Sequence, residues 1–123
     1  MNAGLTPMTR HDVKLWKTAL NHSAARQTCE KDTGHVINID MKERNEAALK
    51  LASLNYYNVE GMRKVKSRPF YDDFGRRIQD QPIFTWASGE PNNGTNMFLK
   101  VKGSQYYDTT ASDTLYVVCE IRQ

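Results

Sequence analysis

The sequence predicts an α+β domain with a mainly antiparallel β-sheet, and three observations carry that prediction. Helical periodicity is confined to the first 54 of the 123 residues. Short β-branched and aromatic runs follow it almost to the end of the chain. Nowhere do strands and helices alternate as they do in a parallel sheet.

A chain of 123 residues is long enough for one core, and residues 12–123 read as a single domain behind an N-terminal segment, 1–11. Apolar residues make up 39% and charged residues 25%, so neither disorder nor a fibrous repeat is indicated. No run reaches the ~20 apolar residues of a membrane span. The opening Met1-Asn2-Ala3-Gly4-Leu5-Thr6-Pro7 lacks the charged start and apolar centre of a signal peptide, which predicts a cytosolic chain or a mature or excised piece. A net charge of +3 does not by itself argue for nucleic acid, and none is expected as a partner.

Alternation of apolar and polar residues from Val13 to Lys17 predicts a strand over 12–20. Asn21-His22-Ser23 then offers a helix cap, and 24–32 reads as a helix with Ala25 and Cys29 on one face and Gly34 as its stop. A strand over 35–39 precedes a second helix over 41–54, which Asp40 and Glu43 open as a capping box. Its buried stripe is expected at Ala47, Leu51 and Leu54, with Ala48 beside them. Strands are expected over 57–65, 97–101 and 115–121, with a turn-rich hairpin region over 69–75. The short apolar run 83–86 leads into Trp86-Ala87-Ser88-Gly89-Glu90-Pro91-Asn92-Asn93. That octapeptide sets a carboxylate and amide oxygens on a proline-stiffened turn, a donor set suited to a hard cation, a polyol or both. The same residues are also ordinary turn vocabulary. Cys29 and Cys119 form no zinc-type cluster, which leaves one disulfide or two buried thiols.

The order of these features resembles the C-type lectin-like domain over nearly the whole chain. Ala25-x-x-x-Cys29 and Gly34-His35-Val36-x-x-Ile39 are similar to its first helix, first cysteine and following strand. Val59-Glu60-Gly61-Met62 stands in place of its WIGL signature, without the tryptophan. Trp86-x-x-Gly89-Glu90-Pro91-Asn92-Asn93, Tyr106-Tyr107-Asp108 and Val118-Cys119-Glu120 follow in family order. The resemblance implies two early helices, a long irregular ligand loop, and a disulfide between Cys29 and Cys119. The positions of a second family disulfide hold Phe98 and Ala111, read as an apolar packed replacement that leaves the loop more mobile.

What the resemblance implies for function is carbohydrate binding, calcium-dependent and of mannose, glucose or fucose type through Glu90-Pro91-Asn92. Glu90, Asn92, Asn96 and Asp108 then become metal ligands, and Tyr107 joins them in contacting the glycan. Asn96 stands where a glutamate is usual and Tyr107 where an asparagine is usual, so calcium is expected to be weak. The alternatives are a calcium-independent module that binds a protein, a surface or an anionic polymer, and a structural domain of a larger extracellular protein. Partners are a glycan or glycoconjugate, or a protein. The implied setting is extracellular or secreted, and no enzyme is expected. Arg63-Lys64-Val65-Lys66-Ser67-Arg68 is a cationic run, read chiefly as a charged strand edge. The sequons at Asn21 and Asn93 carry meaning only in a secretory setting. His11, His22 and His35 have no nucleophile elbow beside them.

Overall fold

The computed structural model describes residues 12–121; His11 and the segment 1–11 lie outside the described residues. Its elements run β1 (Asp12–Leu20), α1 (His22–Lys31), β2 (Gly34–Val36), α2 (Lys42–Ala52), β3 (Tyr57–Met62), β4 (Phe98–Lys102), β5 (Gln105–Thr109) and β6 (Leu115–Ile121). A single 3-10 turn, Ile78–Asp80, punctuates the long loop between β3 and β4. The sheet runs β1-β6-β3-β4-β5, with β2 also on β6. Every strand pair is antiparallel except β3 with β6. This is the α+β architecture expected, with its helices early and its irregular loop in the second half.

Local chemistry explains both helices. Asn21 caps α1, its Oδ1 accepting from Ala24 N at 2.9 Å, so the helix begins earlier than its apolar periodicity suggests. The left-handed residue after α1 is Thr33, at φ 59°, not Gly34. Gly34 is needed for a different reason: a Cβ there would collide with the carbonyl oxygen of Glu120 on the neighbouring strand. In α2 the buried residues are Ala48 and Ala52, whereas Leu51 is 38% and Leu54 73% exposed. Two alanines four apart let the helix sit close on the sheet, and Leu54 falls beyond the helix end. Nor does Asp40 cap α2; its carboxylate accepts from Arg44 Nη1 at 2.7 Å and Arg76 Nη2 at 3.2 Å.

Two clusters form the core. One gathers Ile37, Ile39, Tyr57, Val59, Phe70, Ile78, Leu99, Val101, Tyr106 and Val118 over Ala48 and Ala52. The other surrounds the Cys29–Cys119 disulfide with Ala25, Val36 and Val117. Asn58 joins three chain segments inside this core. Its amide nitrogen donates to the carbonyls of Leu20, Leu115 and Tyr116 at 3.0, 3.4 and 3.2 Å. A half-buried ion network runs from His35 and Glu120 through Arg44, Asp40 and Arg76 to Asp72. Asp72 also caps the turn of the expected hairpin region, accepting from Phe74 N and Arg76 N at 2.9 Å.

Candidate functional site

The site is built where the long loop meets β5. Thr85 and Ala87 bond to Tyr106 on both sides, Tyr106 N to Thr85 O at 2.8 Å and Ala87 N to Tyr106 O at 2.9 Å. Segment 85–87 therefore lies along the sheet edge as a short extra strand. Trp86 anchors it, with Phe84 edge-on at 5.0 Å and Phe70 at 6.1 Å. Gly89, at φ +82°, turns the chain, and Glu90 N closes the turn on Ala87 O at 3.0 Å. The Glu90-Pro91 bond that follows is cis.

Asp108 comes from β5 and is buried, opposite Leu99 in the sheet. Its Oδ1 accepts from Asn92 N at 3.2 Å and its Oδ2 from Asn93 N at 3.0 Å. Asp108 N donates to Glu90 Oε1 at 3.2 Å, and Asn92 Nδ2 donates to Glu90 Oε2 at 2.8 Å. The structure thus brings Glu90, Asn92 and Asp108 together. Asn96 is tied in through its backbone: its N donates to Asn93 O at 3.0 Å and its carbonyl accepts from Arg63 Nε at 2.7 Å. Tyr107 is half-buried and meets Tyr56 edge-on at 5.0 Å, with Lys100 and Lys102 over the Tyr56 ring.

Burial and the neighbouring Asp108 carboxyl together push Glu90 above the ordinary carboxylate range, opposed by the N–H of Asp108 and, less, by Lys100. Burial, Tyr56 and the Glu90 charge all raise the Tyr107 phenol, so it is a neutral hydroxyl. Two carboxylates crowded this way favour a cation, which relieves their repulsion. Each of the four carboxylate oxygens already accepts an N–H and keeps a second lone pair. Among the described residues no group of three His, Cys, Asp or Glu side chains is arranged to hold a metal ion. Two carboxylates and an amide fit one hard cation, weakly, with backbone oxygens, water and ligand hydroxyls completing the ~6–8 positions calcium takes.

Sequence reasoning missed Arg63 as the clamp of this loop. Arg63 lies just past the end of β3, and its N donates to Met97 O at 3.0 Å. Its Nε, Nη1 and Nη2 donate to the carbonyls of Asn96, Arg68 and Asn93. The cationic run is therefore a loop and not a strand edge, and its first member is interior. Phe98 and Ala111 are not a packed substitute for a bridge: the Phe98 ring lies on His22 at 4.6 Å, and Ala111 is exposed. Among the described histidines, His22 is buried and His35 lies 3.5 Å from Glu60 and 3.1 Å from Glu120.

No family model matches the chain, and no curated protein does. Solved structures do. A C-type lectin from the tunicate Polyandrocarpa misakiensis matches with TM-score 0.76 at 15% identity, over 93% of this chain and 99% of that one. The C-type lectin domain of murine dendritic cell inhibitory receptor 2, solved with an N-glycan, gives 0.79 at 14%, over 96% and 95%. The carbohydrate-recognition domain of cow CD23, solved in the presence of an oligosaccharide, gives 0.78 at 17%, over 96% of both chains. The fold is that of C-type lectin domains. No described helix is long and apolar enough to cross a membrane.

Proposed function

We propose that this chain is a carbohydrate-binding module whose ligand site is the turn 90–93 together with Asp108. The observation that carries this reading is the shared hydrogen bonding of Glu90, Asn92 and Asp108, drawn together across 18 residues of sequence. Fold likeness to domains solved with glycans supports the ligand class. In this reading Glu90, Asn92, Asn96 and Asp108 hold calcium, which when bound supplies a charge that vicinal sugar hydroxyls can ligate. Asp108 orients the turn through the amides of Asn92 and Asn93. Glu90 accepts from a sugar hydroxyl and Asn92 donates to another, the pairing associated with mannose, glucose or fucose. Tyr107 flanks the ligand with its ring edge. A glycan or glycoconjugate is the partner, and an extracellular setting suits the Cys29–Cys119 disulfide.

One observation favours a calcium-independent alternative: all four carboxylate oxygens already have an N–H donor. A thermal melt in millimolar calcium and in chelator separates the two. A ligand bound only by the native state raises the melting temperature, so identical melts remove calcium from the proposal. A glycan array run in both buffers then tests the sugar preference, and silence across neutral mannose- and fucose-bearing glycans removes it.

A further inference from the structure

We propose that the groove between loop segments 67–70 and 91–94 binds the anionic group of an acidic saccharide, a sulfate ester or a carboxylate. The ligand class rests on the saccharide-binding reading above. The two sites meet at Pro91, Asn92 and Asn93 of the turn, and the other groove residues, Arg63 and Arg68 among them, are different. The groove encloses about 470 Å³, within the ~300–1,000 Å³ usual for small-ligand sites. Trp86 and Pro91 give it apolar surface for a sugar face, and Gln79 and Asn92 give it hydrogen-bonding groups. Arg63 and Arg68 supply two cations, and no acidic residue lines it.

Arg63 decides the chemistry. It is only 7% exposed, yet guanidinium stays charged at any pH a folded protein meets. Three of its five N–H groups go to the carbonyls of Asn96, Arg68 and Asn93, which leaves one on each terminal nitrogen. Its carbon lies 4.3 Å from the Phe70 ring centroid. Among the described residues its partners are these carbonyls and this ring, with no carboxylate. A buried charge without a counter-charge is costly, and carbonyl dipoles and a ring face offset only part of that cost. An anion in the groove completes the compensation. Sulfate and carboxylate both match the two-pronged donor geometry of arginine.

The groove is already shaped. Ser67 N donates to Gly94 O at 3.1 Å, and a Cβ added at Gly94 would come within 2.7 Å of Ser67 Oγ. These contacts hold the two walls together at one end. Arg68 is exposed at the rim, where its side chain can reach an incoming anion. Only its backbone carbonyl is committed to Arg63.

Calorimetry on the full chain tests this with three probes, each in chelator and in calcium. The probes are a heparin-derived hexasaccharide, a sialylated oligosaccharide and a neutral mannose oligosaccharide. The expected result is that at least one acidic probe binds in chelator, and which one binds identifies a sulfate ester or a carboxylate as the occupant. Arg68→Glu weakens that binding roughly 10-fold or more, the worth of a charge-assisted contact. Lys66→Glu makes the same change of charge on the same loop but outside the groove, and alters it less than about 3-fold. Both residues are exposed, so both variants keep the fold. Equal losses in the two variants overturn the groove in favour of general surface charge. So does equally tight binding of a single-stranded oligonucleotide of matching charge. Failure of both acidic probes while neutral mannose binds removes the groove and leaves the Glu90 site standing. Acidic binding that survives Glu90→Gln, with no neutral binding in calcium, supports the groove and removes the Glu90 site.

Discussion

Replacing Glu120 with Gln removes one charge from the half-buried ion network and leaves the shape of the side chain intact. The Glu120 side chain is 8% exposed, with Oε2 2.6 Å from Arg44 Nε and Oε1 3.1 Å from His35 Nε2. Burial works against its charge, but the bonds from His35 and Arg44 outweigh it and hold the carboxyl down at about 2. Its ordinary value is 4.5, and each unit of difference is worth ~1.4 kcal/mol. The ionised form therefore contributes about 3 kcal/mol at neutral pH. Because the folded value is the lower one, that stability is complete above about pH 4.5 and is lost as the pH falls through about 2. Urea unfolding at pH 7 should show Glu120→Gln less stable by about 3 kcal/mol. Repeating it in steps down to pH 3 should show the two proteins converging. A difference below ~1 kcal/mol at pH 7, or one that does not shrink in acid, would refute the account of this network.

Three further changes test other parts of the molecule. Cys29→Ala with Cys119→Ala opens a crosslink spanning 90 positions, for which loop-closure entropy predicts a loss of roughly 4–5 kcal/mol in denaturant unfolding. Gly61→Ala places a Cβ 2.7 Å from Leu99 Cδ1 and 3.2 Å from Ile78 Cγ1, at φ +140°. Crowding and backbone strain together should cost about 2–4 kcal/mol, read as a lower urea midpoint with an unchanged slope. Glu90 sits beside Asp108 with its carboxyl raised, so ionising it costs the folded state stability as the pH rises past the ordinary carboxylate value. Glu90→Gln should then leave the calcium-free melt at pH 7 unchanged or higher and abolish any upward shift on adding calcium; a lower calcium-free melt contradicts the crowding.

Legibility in the sequence followed the range of the interactions. β6 could be placed because seven residues of local pattern report it, and α1 because Asn21 caps it within three residues. The buried face of α2 was misjudged because leucines outrank alanines in any periodicity count, while close helix–sheet contact selects Ala48 and Ala52. β5 was not anticipated as a strand, since Gln105–Thr109 owes its place to pairing with β4 and with Trp86. The parallel pairing of β3 with β6 joins residues about sixty positions apart, where local pattern carries no information. At the site, the carboxylates and amides were visible as residue types. Asp108's grip on the loop amides was not, nor was Arg63's on three carbonyls, because backbone partners leave no trace in a sequence.

The strand order places the two ends of the described chain on one side of the molecule. Asp12 of β1 pairs with Ile121 of β6, so both ends leave from neighbouring points. β5, which carries Asp108, forms the opposite border of the sheet, four strand spacings from β1. At ~4.8 Å per spacing that is about 19 Å. A tether fused to either end therefore holds the domain from behind and leaves the turn 90–93 facing outward. Several copies on one support would present their sites in the same direction, and their linkers would set the spacing at which a branched ligand can engage two at once.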